Sequence, residues 1–132
     1  MAKKGSTEQV QVTWEDQQNI NTFSKLNIRR HELEAQIHGT KKQLEDLEDA
    51  SAELMLADDD DGEDGGVRML VGAAFLHTPK DDAESKVEAL TGEAQTLLAA
   101  LHEELGGVTS RLADLKVALY ARLGSGNINL EE

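Results

Sequence analysis

The chain has 132 residues, of which 39% are hydrophobic and 3% aromatic, with one proline, no cysteine and a formal net charge of −13. This length bounds it to one domain, and a Leu- and Ala-rich apolar set favours long helices over a β-sandwich. The acidity, without a basic patch, disfavours nucleic acid and anionic membrane surfaces as partners. With no disulfide framework and no apolar signal segment near the start, we expect the chain in the cytoplasm or nucleus.

Residues 1–12 are predicted to form a flexible N-terminal tail, followed by a first coiled-coil helix over residues 13–56. Thr13 is placed to cap this helix, and Asp16 to complete a capping box. Apolar residues then recur at alternating spacings of 3 and 4, which is the heptad pattern of a coiled coil. The predicted core positions are Phe23, Leu26, Leu33, Ile37, Leu44, Leu47 and Leu54, with polar Arg30, Thr40 and Ser51 in the same seam.

An acidic linker is predicted over residues 57–66, followed by an apolar segment over residues 67–77, "VRMLVGAAFLH". This segment is interpreted as a β-hairpin that turns near Gly72. A two-stranded hairpin is marginal in water, and two helices that bury their own seam offer it no second layer. We therefore expect other subunits to pair with its edges and complete a shared sheet or barrel. The assembly residues are Val67, Met69, Val71, Phe75 and Leu76.

The second coiled-coil helix is predicted over residues 78–123. Thr78 is placed to cap it, with Pro79 at the first helical position and Asp81 completing the box. Gly124 follows the last apolar position and favours a left-handed stop. The predicted core positions are Val87, Leu98, Leu101, Leu105, Val108, Leu112, Leu115 and Leu119, with Thr91 and Ala94 in the same seam.

The two helices have nearly equal length and are joined by a central insert, which favours an antiparallel pair. The predicted fold class is mainly α: an antiparallel two-helix coiled coil joined by a short β-hairpin that completes an intersubunit β-barrel. Residues 124–132 are left as a flexible C-terminal tail. Both termini would then lie at one tip. Apolar residues gather there before and at the start of the first helix and after the end of the second: Val10, Val12, Trp14, Ile128 and Leu130. These residues either cap the coiled coil or bind apolar segments of other polypeptides weakly.

Other chemistry fits the sequence poorly. The acidic run does not match a calcium loop, because neither frame around its glycines places Asp and Glu at the ligand positions. The run also opposes insertion of "MLVGAAFL" into an anionic membrane surface. The histidines do not form a metal-binding spacing, and no nucleophile or phosphate-binding loop is present. The sequence therefore predicts no enzyme, no cofactor and no metal site.

Three motifs carry a resemblance to a known family: "VTWEDQQNIN" (12–21), "LEDLEDASAELMLADDD" (44–60), and "ADLKVALYARLGS" with "NINLE" near the end. On these motifs the chain resembles β-type subunits of the prefoldin family over essentially residues 10–131. It departs from the family pattern at the additional Gly126, at the Gly106–Gly107 pair, and at "VGAA", which lacks an acidic residue after Gly72.

The resemblance implies a chaperone heterohexamer of two α-type and four β-type subunits, joined by a β-barrel platform. It further implies capture of unfolded polypeptides, notably actin and tubulin, at the coiled-coil tips and their delivery to the cytosolic chaperonin without ATP. Assembly would then use the predicted hairpin, and client binding the tip residues. The alternative is a coiled-coil scaffold or adaptor subunit without chaperone activity; a membrane-active helical hairpin is a weaker third interpretation.

Overall fold

The structure of the chain, a computed structural model, describes residues 11–56, 67–71, 74–124, 126 and 128–130, the segments 67–71 and 74–78 by their backbone alone. The element order is α1 (Trp14–Leu56), β1 (Val67–Val71), β2 (Ala74–Thr78) and α2 (Lys80–Leu123). The helices contain 43 and 44 residues, so the described chain is mainly α. The predicted acidic linker over 57–66 lies outside the described residues.

Helix α1 begins with the predicted capping box. The Thr13 backbone N–H donates to Asp16 Oδ2 at 3.0 Å, and the Asp16 backbone N–H donates to Thr13 Oγ1 at 3.0 Å. The Thr13 carbonyl accepts the first helical hydrogen bond from Gln17 N–H, also at 3.0 Å. Two amides that the first turn leaves without helical partners are thereby satisfied. The capping roles predicted for Thr13 and Asp16 are confirmed.

Helix α2 begins at Lys80, one residue after Pro79, which was predicted as its first helical position. Thr78 is the last residue of β2, and the Pro79 carbonyl accepts the first helical hydrogen bond from Ala83 N–H at 2.9 Å. Pro79 therefore occupies the capping position expected of Thr78. Thr78 is instead the last paired residue of β2, opposite Val67, with the extended backbone that a residue before proline favours. The helical hydrogen bonds begin one residue further along the chain, at the Pro79 carbonyl.

Helix α2 ends at the predicted glycine. Gly124 has a φ of 84°, in the left-handed region that glycine enters without steric cost. Its N–H donates to the Tyr120 carbonyl at 2.8 Å, which is the hydrogen bond of a left-handed helix cap. The chain therefore leaves the helix axis directly after Leu123.

The chain divides into two units, each of which contains part of both helices: residues 1–35 with 102–132 (unit 1), and residues 36–101 (unit 2). In unit 1 the predicted seam positions are all buried or half-buried. Their apolar side chains stabilise the unit by removal from water. The buried members are Phe23, Leu33, Val108, Leu112 and Leu119.

A bidentate ion pair joins the two helices of unit 1. Arg29 Nε donates to Glu104 Oε2 at 2.7 Å, and Arg29 Nη2 donates to Glu104 Oε1 at 2.9 Å. These hydrogen bonds raise the pKa of Arg29 and lower the pKa of Glu104. Asp16 and Arg122 form a second contact between the helices, and the two pairs together show that the helices run antiparallel within this unit.

In unit 2, the end of α1 packs against the start of α2. Leu54 forms a buried cluster with Ala83 and Val87, against which Leu47 and Ala50 pack half-buried. The remaining predicted seam positions of this unit are buried or half-buried, except one.

The exception is Ser51, which the heptad pattern placed in the seam but which is exposed. Ala50 takes its place, because a methyl group can be buried without the cost of desolvating an unpaired hydroxyl. Thr40 keeps its buried position because its hydroxyl donates to the Gln36 carbonyl at 2.8 Å within the same helix.

Strands β1 and β2 form a two-stranded antiparallel sheet in unit 2. The register pairs Val67 with Thr78, Arg68 with His77, Met69 with Leu76, Leu70 with Phe75, and Val71 with Ala74. The two residues between the strands, where the turn was predicted, lie outside the described part of the chain.

Candidate functional site

The start of α1 and the end of α2 meet in unit 1, and this is where the sequence placed the binding residues. Arg122 Nη2 lies 3.2 Å from Asp16 Oδ2 and donates to the Gln11 carbonyl at 3.1 Å. One guanidinium thus holds the first turn of α1 and the segment that precedes it. We call the apolar residues around this junction the terminal patch: Val12, Trp14, Tyr120, Ile128 and Leu130.

Asp16 is the most buried ionisable group of this junction, with 5% of its surface exposed. The hydrogen bond from the Thr13 backbone N–H lowers the pKa of its carboxyl; the Thr13 hydroxyl and the charge of Arg122 act in the same direction, against a desolvation that raises it. The carboxylate is therefore held ionised, and it serves both as a helix cap and as the acceptor for a cross-helix ion pair.

The N-terminal half of the terminal patch is open to solvent. Trp14 is 77% exposed and Val12 is 51% exposed, although each could bury apolar surface if a partner were present. Val10, the remaining predicted member on this side, lies outside the described residues. An indole in this position presents a large, rigid apolar area with one N–H donor, which suits contact with irregular polypeptide segments.

The C-terminal half of the patch is arranged differently. Leu130 is 6% exposed and Ile128 is half-buried, whereas Asn129 between them is exposed. The Leu130 backbone N–H donates to the Tyr120 hydroxyl at 3.3 Å, so the segment after Gly124 turns back towards the last turn of α2. The residues predicted as a flexible tail thus include a packed leucine.

The second predicted site is the sheet. The register places Met69 opposite Leu76 and adds a residue that the sequence prediction left out, Leu70, opposite Phe75. Leu70 could have been found by pairing the two predicted strands about the turn, which sets Leu70 opposite Phe75. Residues directly opposite each other lie on the same face of the sheet.

Two observations on the described residues bear on metal binding and on pockets. Among residues 11–56, 79–124 and 128–130, no group of three His, Asp or Glu side chains is placed to hold a metal ion. An open depression of about 1000 Å³ runs along α2. It is lined by two exposed carboxylates, Glu88 and Glu93, and otherwise mostly by small side chains such as Ser85. Neither described helix contains a stretch apolar enough to span a bilayer.

Comparison with known proteins agrees with this architecture. Residues 17–126 match the family described as prefoldin subunit. The fold resembles the crystal structure of the prefoldin beta subunit from Thermococcus strain KS-1, with a TM-score of 0.69 and 18% identity, over 86% of this chain and 96% of that one. The chain belongs to the prefoldin subunit family, whose members form complexes with other prefoldin subunits.

Within the family, the chain is most informatively compared with prefoldin subunit 4. It is 41% identical to that protein from Bos taurus and from Homo sapiens, over 98% of this chain and 93% of each relative. It is 34% identical to prefoldin subunit 4 of Saccharomyces cerevisiae, over 97% of this chain and 95% of the relative. The resemblance inferred from the sequence motifs is confirmed.

Proposed function

We propose that the chain is a β-type subunit of a cytoplasmic prefoldin hexamer, in which two α-type and four β-type subunits capture non-native polypeptides. The proposal includes actin- and tubulin-type clients and their transfer to the cytosolic chaperonin without ATP. Family membership supports the complex. The observation that supports client binding is the exposed Trp14 beside exposed Val12, at the junction where α1 begins and α2 ends.

The proposed assembly element is the β1–β2 sheet, with Val67, Met69, Val71, Phe75 and Leu76 as its apolar residues. A sheet of two strands has outer edges that can pair with strands of other chains, and alone it is marginally stable. We propose that these edges join the strands of neighbouring subunits in a β-barrel. Leu70 is added to the set because it pairs with Phe75.

Client capture in this proposal is multivalent. Each terminal patch offers only a few exposed apolar side chains, so the affinity of one patch for a client is low. Several subunits held together raise the effective concentration of the second and later patches. The net charge of −13 keeps the rest of the surface soluble and disfavours contact with apolar segments elsewhere.

Substitution of Val71 tests the assembly element. Val71→Asp should prevent incorporation into the complex while leaving helix content unchanged, because it places a charge in a sheet that must be desolvated on assembly. The control is Val117→Asp, the same change at an exposed helical position. Size-exclusion chromatography with light scattering measures assembly, and circular dichroism measures helicity. Normal assembly of Val71→Asp would show that the sheet is not the interface.

Substitution of Trp14 tests client binding. The assembled complex is mixed with a denatured protein, and suppression of its aggregation is followed by light scattering without nucleotide. Trp14→Ser should weaken suppression, whereas Ile28→Ser, at a position on the same helix that is 62% exposed, should not. The two positions are about 21 Å apart along the helix axis. A wild-type complex that assembles but never suppresses aggregation would favour the scaffold interpretation.

A further inference from the structure

The C-terminal segment of the terminal patch is bound as a peptide ligand would be. Along this segment, half-buried Ile128, exposed Asn129 and buried Leu130 alternate, as in a peptide that lays one side on a surface. The Leu130 backbone N–H supplies a main-chain hydrogen bond to the Tyr120 hydroxyl at 3.3 Å. Side-chain burial combined with a main-chain hydrogen bond is a common mode of peptide recognition.

The local geometry explains why the segment returns. Gly124, at φ 84°, turns the chain out of α2 immediately after the last helical residue. The chain then comes back to Tyr120, which lies in the last turn of the helix and is half-buried. The Tyr120 ring has Lys116 Nζ 6.0 Å from its centroid, at the outer limit of a cation–π contact.

We propose that this surface at the end of α2 is a binding site for apolar peptide segments, and that residues 128–130 are its resident ligand. The inference rests on the proposed function in one respect, that the competing ligand is a non-native client polypeptide. The ligand class is an aliphatic–polar–aliphatic segment with a free backbone N–H at its second aliphatic residue. Leu130, predicted from the sequence to contact clients, instead occupies the place that a client segment takes.

The resident segment competes with clients because it is tethered. A ligand that belongs to the same chain as its site and lies close to it in sequence has an effective concentration of roughly millimolar. The apparent Kd of a client segment is therefore its intrinsic Kd divided by the fraction of sites that the resident segment leaves empty. Burial of one leucine corresponds to roughly a tenfold or larger preference for the closed state. Clients with several accessible apolar segments displace the resident, whereas folded proteins with few do not.

The first experiment tests the site without any client. A variant that ends at residue 125 is assembled with the other subunits, and the peptide GNINLEE, which reproduces residues 126–132, is titrated in by isothermal calorimetry. We expect the shortened variant to bind this peptide at least tenfold more tightly than the full-length chain does. The control peptide GNINSEE, with Leu130→Ser, should not bind. Equal binding to the two proteins, or binding to neither, would overturn the proposed site.

The second experiment tests displacement by a client. The chain has no cysteine, so Leu130→Cys and the neighbouring Asn129→Cys each introduce one thiol. Alkylation by N-ethylmaleimide in the assembled complex is followed by mass spectrometry of the tryptic peptide 123–132, which contains both positions. Without client, the thiol at position 130 should react at least tenfold more slowly than that at 129. Because Leu130→Cys also shortens the anchoring side chain, hydrogen exchange of the Leu130 backbone N–H, which donates to the Tyr120 hydroxyl, is measured in parallel in the unsubstituted chain. Unprotected exchange at this amide, together with equal alkylation rates, would show that the segment is not bound.

Addition of a denatured client should accelerate alkylation at position 130 towards the rate at 129. A slower reaction at 130 would show that the segment contacts the client directly, and an unchanged rate with bound client would show that the sites are separate; either result contradicts displacement. Client binding is measured in the same samples by suppression of aggregation. If the wild-type complex does not suppress aggregation but the shortened variant still binds GNINLEE, the proposed function is rejected and the peptide site is retained.

Discussion

Truncation of one seam residue gives the most direct test of what stabilises this chain. Leu112 has 0% of its surface exposed, and Leu112→Ala removes three carbon atoms from the core of unit 1. At about 0.8 kcal/mol per buried methylene, the transfer cost is roughly 2.4 kcal/mol. A residual cavity adds to this cost, so we expect a loss of about 3 kcal/mol in the free energy of unfolding. The matched change Leu97→Ala, at a position 49% exposed, should cost about 1 kcal/mol.

Urea unfolding followed by circular dichroism at 222 nm measures both losses. The comparison requires that the dependence of unfolding free energy on urea be the same for the variants, because a change in slope would mean a change in the surface exposed on unfolding. The two leucines lie on the same helix and undergo the same chemical change, so helix propensity cancels. If Leu112→Ala and Leu97→Ala lose the same free energy, burial in the seam is not the dominant stabilising term.

Three further outcomes are expected. The pKa of Asp16 is lowered in the folded chain, so the ionised carboxylate adds stability at pH values above its usual pKa of about 3.9, and this stability is lost as the pH falls through the folded-state pKa. The melting temperature of the wild type should therefore fall more between pH 5 and pH 2 than that of Asp16→Asn, and parallel curves would contradict this. Arg29→Ala should raise the pKa of Glu104 towards about 4.3, as followed by carboxyl NMR titration, and an unchanged pKa would show that the ion pair does not form in solution. Gly39→Ala should stabilise the chain by about 0.5–1 kcal/mol, because an added Cβ meets no atom within 4 Å. Gly124→Ala should destabilise it by about 1 kcal/mol, because Gly124 has a φ of 84°. Urea unfolding measures both changes in the free energy of unfolding, and two changes of the same sign would refute the backbone argument.

Much of the fold could be predicted from the sequence, because helical periodicity is a local property. The alternating spacings mark residues such as Leu33 and Leu119, which are buried in the structure. Capping is also local: Thr13 and Asp16 lie three residues apart, and the hydrogen bonds between them follow from that spacing. The periodicity fails at Ser51 because a strict repeat takes no account of side-chain polarity at one position.

The terminal patch could be predicted only in part, because its decisive contacts join residues distant in sequence. Arg122 and Gln11 are 111 positions apart, and nothing in the composition of either segment indicates that they meet. The packing of Leu130 was one of two alternatives that the sequence left open, for another reason. A short polar segment after a helix stop reads as a flexible tail, and a single leucine in it gives no periodic signal. Only the return to Tyr120 reveals that the segment is docked.

The junction held by Arg122 has a practical consequence for anyone who purifies or labels this chain. Because the Gln11 carbonyl and the Leu130 backbone N–H both form hydrogen bonds with side chains near the end of α2, a fluorophore attached at position 11 or at position 130 would lie in the same region. At position 130 it would replace a buried leucine, and at position 11 it would lie near the exposed Trp14. Tag-free material, or a dye placed at an exposed position near the middle of a helix, is therefore the appropriate reference for every measurement of affinity.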